Sequence, residues 1–249
     1  MTSGESKALE DLYVEGEYLE RHPTWHTEDS PWKAAQVLRM LERNSLAPSK
    51  VCEVGCGAGE ILRQLQDRLD GHPAFVGYEI SPQAYQLTLD RARPGLEFKL
   101  EDFLESPEPD VDLLLLMDVI EHVPDYLGFL SRIRGKATNT ILHIPLDLSV
   151  EWLVRGRPLI NERRTMGHLH YFTKDLALEA LTDSGFEVVD WFYTRWGIDN
   201  FYPTWRVVRD KDTPVKTGLR KALQHSLWRL SPDLAARLTR GWALLVLVR

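Results

Sequence analysis

The segment VCEVGCGAGE, Val51 to Glu60, carries a short apolar run straight into Gly55, Gly57 and Gly59. Alternating glycines open the backbone to positive φ and let a ligand come closer than a Cβ allows, so the turn reads as a cofactor loop behind a strand. A helical pattern follows at once, with Ile61, Leu62, Leu65 and Leu69 on one face. Strand, glycine turn and helix in that order commit the chain to an α/β architecture in which the helix N-terminus points at the ligand. The GxGxG spacing brings the third glycine one place earlier than in the GxGxxG of dinucleotide loops, which argues against a nicotinamide or flavin.

Further apolar runs recur along the chain, separated by segments of helical length, the pattern of a parallel sheet buried on both faces. Strands are expected at Lys50–Val54, Phe75–Ile80, Leu96–Leu100, Val111–Met117, Thr140–Ile144, Phe186–Tyr193 and Trp242–Val248. Helices are expected at Ile61–Leu69, Pro82–Ala92 behind the N-cap Ser81, Thr173–Ser184, Thr217–Arg229 and Pro232–Arg240. These elements predict a seven-stranded, mostly parallel sheet with helices on both faces and an antiparallel last strand beside the sixth. The 249 residues are expected to form a single domain, with residues 1–45 as an N-terminal helical lid and residues 195–240 as a helical insertion before the last strand.

A net charge of −7 excludes a general nucleic-acid binder, which needs a dominant basic surface. Cys52 lies just before the glycine turn and Cys56 inside it, which implies no disulfide framework, and the opening MTSGESKALEDLY lacks a secretory pattern, so a cytoplasmic setting is expected.

Glu79 ends the second strand about twenty residues beyond the glycines, where a carboxylate can accept ribose hydroxyls. The third strand runs into Glu101-Asp102-Phe103 and the fourth into MDVIEHVPD. Taken together, EVGCGAG, YEIS, EDF and DVIEHVPD resemble class I S-adenosylmethionine-dependent methyltransferases of Rossmann-like α/β fold, in particular the ubiquinone-biosynthesis O-methyltransferase-like group, over about residues 32 to 193. The resemblance implies S-adenosyl-L-methionine as cofactor. It would place Glu53, Gly55, Cys56, Gly57 and Gly59 at the methionine part, Glu79 and Ile80 at the ribose end, Asp102 and Phe103 at the adenine, and Met117 and Asp118 along the floor. The implied enzyme transfers a methyl group to a hydroxyl, less readily an amine, of a small-molecule, sugar or lipid-linked acceptor. A noncatalytic cofactor-binding partner is an alternative, and an NAD-dependent oxidoreductase a weaker one, lacking a recognisable Tyr and Lys hydride-transfer pair.

Methyl transfer is an in-line displacement, so the protein has mainly to align nucleophile, methyl carbon and sulfur in a dry pocket. A hydroxyl nucleophile also needs a base. His122, with Glu121 beside it, follows the fourth strand, and His168 and His170 lie in GHLHYFT after the fifth. Asp118, Glu121, His122 and His168 are also ligand types for a divalent metal, as in some relatives, but Asp118 stands where those relatives have glutamate, and no metal ligand is assigned. His143, inside ILHIP, reads as a core or strand-end histidine, and Cys56 as a packing contact without chemistry.

Three regions are expected around the acceptor. Trp25, His26 and Trp32 would fold over the cofactor, and the span 148–170, with Arg155, Arg157, Arg163 and Arg164, would suit an acidic or phosphorylated acceptor. The insertion carries Lys216, Arg220, Lys221, Arg229, Arg237 and Arg240 among Leu and Trp, a composition suited to peripheral contact with an anionic membrane.

Overall fold

A computed structural model describes residues 23–25, 27–106, 111–195 and 214–249. Its seven strands are β1 (Lys50–Val54), β2 (Ala74–Glu79), β3 (Leu96–Leu100), β4 (Val111–Met117), β5 (Ala137–Pro145), β6 (Val188–Arg195) and β7 (Trp242–Val248), in the order β3-β2-β1-β4-β5-β7-β6. β1 to β5 pair in parallel, while β7 runs antiparallel to both β5 and β6. The expected sheet is therefore the observed one. The last strand pairs on both sides because it slots between the fifth and sixth.

That central position explains the unbroken apolar sequence WALLVLV. Trp242, Leu244, Val246 and Val248 enter one core cluster, and Leu245 and Leu247 enter the other. β4 divides in the same way, with Leu114 and Leu116 on one face and Leu113, Leu115 and Met117 on the opposite face. Alternate side chains point to opposite faces, so a strand covered on both sides must be apolar throughout.

The helices are α1 (Ser30–Arg43), α2 (Glu60–Gln66), α3 (Pro82–Thr88), α4 (Tyr126–Ile133), α5 (Val150–Arg155), α6 (Arg157–Thr165), α7 (Lys174–Asp183), α8 (Pro214–Leu230) and α9 (Pro232–Leu238). α1 belongs to the expected lid, and it packs Trp32, Ala34, Val37, Met40 and Leu41 inward instead of lying loosely over the sheet. Ser81 caps α3 through Oγ as expected, Thr173 caps α7, and Ser231 caps α9. Helices α4, α5 and α6 did not stand out in the sequence, being short and framed by Asp-Tyr and Gly-Arg-Pro junctions that read as loop. His26, residues 1–22 of the lid and residues 196–213 of the insertion lie outside the described residues, as do the side chains of Lys216, Arg220 and Lys221. No described helix is long and apolar enough to cross a membrane.

Candidate active site

The parallel strands β1, β2, β4 and β5 end at one edge of the sheet, and the chain's unusual backbone gathers there. Gly57 and Gly59 follow β1 with φ of +55° and +75°. A Cβ on Gly59 would stand 2.3 Å from Cε1 of Phe98, and one on Gly57 would stand 2.6 Å from Cδ1 of Trp25. The loop is thus glycine on two counts, conformation and space. The Trp25 indole lies against Gly57, whereas Trp32 packs down against His143 with ring centroids 5.8 Å apart.

Glu79 ties this loop to the end of β2. Its Oε2 accepts the Gly57 N–H at 2.8 Å, and its Oε1 accepts the N–H groups of Ile80 at 2.9 Å and Ser81 at 2.8 Å. Burial raises its pKa, and these three donors oppose the rise. The expectation that Glu79 takes both ribose hydroxyls is narrowed accordingly: with Oε1 already accepting twice, one lone pair on Oε2 is left for a ligand. Glu53 is 1 % exposed, and its Oε2 has no hydrogen-bond partner among the described residues. Burial pushes its carboxyl well above the usual range, opposed by Lys33 and reinforced by Glu79. Burial likewise holds the Cys56 thiol neutral, with Glu79 and Glu53 adding to the effect.

Two expected contacts are corrected by packing. Phe103 is 1 % exposed and sits in the core, edge-on to Tyr78 at 5.1 Å, so its ring is not open to a base. Met117 is buried in the cluster beneath α1 and α2 and forms no exposed floor. Ile80 at the end of β2 is 66 % exposed instead, an apolar side chain beside the loop. Asp102 is exposed, with one carboxylate oxygen accepting the Leu104 N–H at 2.8 Å.

Asp118, at the end of β4, adopts φ +58°, a conformation disfavoured for residues with a Cβ. Its partners hold it there. Lys33 Nζ from α1 lies 2.7 Å from Oδ2, His143 Nδ1 meets Oδ1, and the Asp118 N–H donates to the His143 carbonyl at 3.0 Å. His143 Nε2 in turn reaches Thr194 Oγ1 at 2.9 Å. Although burial acts the other way, Lys33 and His143 hold Asp118 well below the ordinary carboxylate range. This buried chain spans α1, β4, β5 and β6. It diverts Asp118 from the metal set considered above.

Three residues further along, Glu121, His122 and His168 come together, each offering a ligand atom within 4.8 Å of the others. Glu121 is 1 % exposed, with no hydrogen-bond partner on either carboxylate oxygen among the described residues. Burial and the Asp118 charge push it up to about 8, against the pull of His168. Burial and the neighbouring His168 pull His122 down to about 3, a backbone hydrogen bond to Gly167 notwithstanding. The two imidazoles meet edge to face, with centroids 4.9 Å apart. Burial opposes charge on His168 too, but its Nδ1 donates to Asp147 Oδ2 at 2.8 Å and raises it to about 9. At neutral pH the pair is therefore one imidazolium, His168, beside one neutral imidazole, His122.

The Asp147 contact sets a sign for stability. Its contribution is complete below pH 6.5, where His168 is cationic in either state, and is lost as pH rises through about 9. Urea midpoints of the wild type should therefore fall between these pH values more steeply than those of Asp147→Asn; parallel slopes would rule out the pairing.

His170, the remaining base candidate, faces elsewhere. Its Nε2 donates to the carbonyls of Val123 at 3.0 Å and Pro124 at 3.2 Å, and its ring lies against Tyr126. Lys33, Thr194 and Asp147 escaped the sequence reading because a lone lysine in an amphipathic helix, or an acid two residues past a strand, carries no spacing signal.

A family model described as a methyltransferase domain matches residues 25–190. Trans-aconitate 2-methyltransferase of Methylobacterium nodulans is 28% identical over 134 residues, 48% of this chain and 51% of that protein. Ubiquinone biosynthesis O-methyltransferase of Rhodopseudomonas palustris is 28% identical over 149 residues, 56% of this chain and 57% of that protein. The chain thus spans about half the length of the curated relatives it matches. Among solved structures, magnesium protoporphyrin IX methyltransferase from Synechocystis with bound S-adenosylhomocysteine shares the fold at a TM-score of 0.60 and 14% identity, over 98% of both chains. N-methyltransferase NodS from Bradyrhizobium japonicum does so at 0.53 and 15%, over 87% of this chain and 85% of that one.

Proposed function

The chain belongs to the methyltransferase-domain family, and from that membership we propose that it transfers a methyl group from S-adenosyl-L-methionine to a hydroxyl of a small-molecule, sugar or lipid-linked acceptor. The observation that carries this reading is the placing of a neutral histidine, His122, at the same sheet edge as the glycine loop. The bound cofactor would supply an electrophilic methyl on a sulfonium. Its ammonium suits the orphaned Oε2 of Glu53, its ribose the remaining lone pair of Glu79, and its adenine the region of Ile80 and Asp102. Trp25 would close over the methionine end.

On the acceptor side, a hydroxyl would displace the sulfonium sulfur from the methyl carbon, and one ring nitrogen of His122 would take the hydroxyl proton. The Gly167 carbonyl orients the other ring nitrogen. Asp147 keeps the charge on His168, and burial together with that charge keeps His122 unprotonated. Glu121 Oε1 lies 3.8 Å from His122 Nε2, its carboxyl pushed up to about 8 by burial and the Asp118 charge.

A second reading rests on the same geometry, because Glu121, His122 and His168 could instead hold a divalent cation that activates the hydroxyl. Calorimetric titration of chelator-treated protein with S-adenosylhomocysteine, with NAD as control, tests the cofactor. Micromolar binding of S-adenosylhomocysteine and none of NAD is expected; binding of NAD alone would overturn the proposal. Radiolabelled methyl transfer to hydroxyl acceptors, before and after added magnesium, separates the two roles. Turnover without metal is expected, and strict metal dependence would transfer the three side chains to the second reading.

A further inference from the structure

Residues 150–165 and 214–240 together hold ten basic and three acidic residues, a net charge of +7 in a chain whose total is −7. The rest of the chain is therefore at −14, so the positive charge is concentrated on these two segments. The same two segments, α5–α6 and α8–α9, also collect exposed aliphatic side chains. Of the twelve large hydrophobic side chains exposed among the described residues, seven lie on these four helices: Val150, Leu153, Val154, Ile160, Leu223, Leu230 and Leu234. Val154 and Leu230 are 83 % and 80 % exposed, with Arg155 next to the first and Arg229 next to the second.

The two segments are joined in space. Glu151 on α5 pairs with Arg240 at 3.3 Å and accepts its backbone N–H at 3.2 Å, while Gln224 on α8 donates to the Arg240 carbonyl at 2.9 Å. Their place in the fold is also fixed. α5 follows the carboxyl end of β5, and α9 leads into the amino end of β7, where Ala243 is paired with Pro145. Both pairs of helices therefore flank the sheet edge that carries the glycine loop and the histidines.

We propose that these helices form a docking face for an anionic lipid bilayer, which lays the mouth of the methyl-transfer site against the membrane. The proposal rests on the methyltransferase reading and narrows the acceptor to one held at an anionic lipid surface. Aliphatic side chains at helical spacing, Val150, Leu153 and Val154, enter the boundary between headgroups and chains, and the arginines meet lipid phosphates. Acceptors in solution would have no use for exposed valines and leucines beside so many cations.

Cosedimentation with phosphatidylcholine vesicles, with and without phosphatidylglycerol, tests the face on the full chain. The wild type should pellet with the phosphatidylglycerol vesicles alone and be released by salt. Leu153→Asp/Val154→Asp and Arg229→Glu/Arg237→Glu should each weaken binding by roughly tenfold or more. Affinity for S-adenosylhomocysteine should be unchanged in both, which reports that the exposed substitutions leave the fold intact. Failure of the wild type to bind either vesicle, or undiminished binding by both variants, would overturn the docking face. Because cofactor affinity is read separately, wild-type protein that binds vesicles but not S-adenosylhomocysteine would instead count against the methyltransferase reading.

Discussion

Replacing His122 with alanine should lower turnover by about a hundred- to ten-thousandfold, the usual weight of a general base, with affinity for S-adenosylhomocysteine retained. The expectation follows from charge as much as from position. Asp147 and His168 hold one proton between them, the resulting imidazolium lies edge to face with His122, and burial together with that charge draws the His122 pKa down to about 3. His122 is therefore neutral across the physiological range and does not need to lose a proton before it can accept one. The loss should appear in kcat with little change in the KM for the cofactor, because Glu53, Glu79 and the glycine loop belong to β1, β2 and the turn after β1, whereas His122 follows β4. His168→Gln should show a smaller loss, since it removes a charge that adds to burial in keeping His122 neutral but leaves the base. Stopped or continuous assays of methyl transfer check both variants. Full turnover in His122→Ala would remove the base from the mechanism, and a parallel fall in urea midpoint would assign the residue to structure.

The second large effect is expected on stability. Lys33→Met should cost about 3 kcal/mol, because it strands a largely buried carboxylate whose cation has been removed. Lys33 and Asp118 side chains are 10 % and 25 % exposed, and their 2.7 Å contact joins α1 to the end of β4. The Asp118 backbone is held at φ +58° by this contact and its bonds to His143, so the cost includes a strained turn losing one of its restraints. Lys33→Met/Asp118→Asn should recover most of the loss. Asparagine tolerates left-handed backbone, needs no counter-charge and still offers Oδ1 to His143. Urea denaturation of the single and double variants measures the coupling directly. A cost of about half a kcal/mol or less, the range of an exposed pair, would reduce the network to surface decoration.

These two expectations draw unequally on the sequence. His122 was marked by EHVPD, since the motif follows a strand whose carboxyl end must face the ligand. The state of its proton was not marked, because that depends on burial and on His168, from the chain between α6 and α7, paired with Asp147 from the chain between β5 and α5. Lys33 carried no mark at all. Its sequence neighbours predict an ordinary amphipathic helix, and only the docking of α1 on the sheet brings Nζ to Asp118. Phe103 shows the opposite case, a motif position read as a ligand contact whose ring the core claims through Tyr78.

By itself the sequence determined the order of the strands and of most helices, the glycine loop and the carboxyl-edge location of the candidate site. Those features rest on local rules: alternation in strands, helical spacing, and the φ values that only glycine reaches without strain. The tertiary structure alone decided which ionisable groups meet. It gave Asp118 to Lys33 and His143, charged His168 through Asp147, left Glu121 and Glu53 with orphaned oxygens, and joined α5 to the segment after α9 through Glu151 and Arg240. Protonation and pairing depend on distances of a few ångströms between residues far apart in the chain and on the water excluded around them, and neither quantity is encoded at any single position.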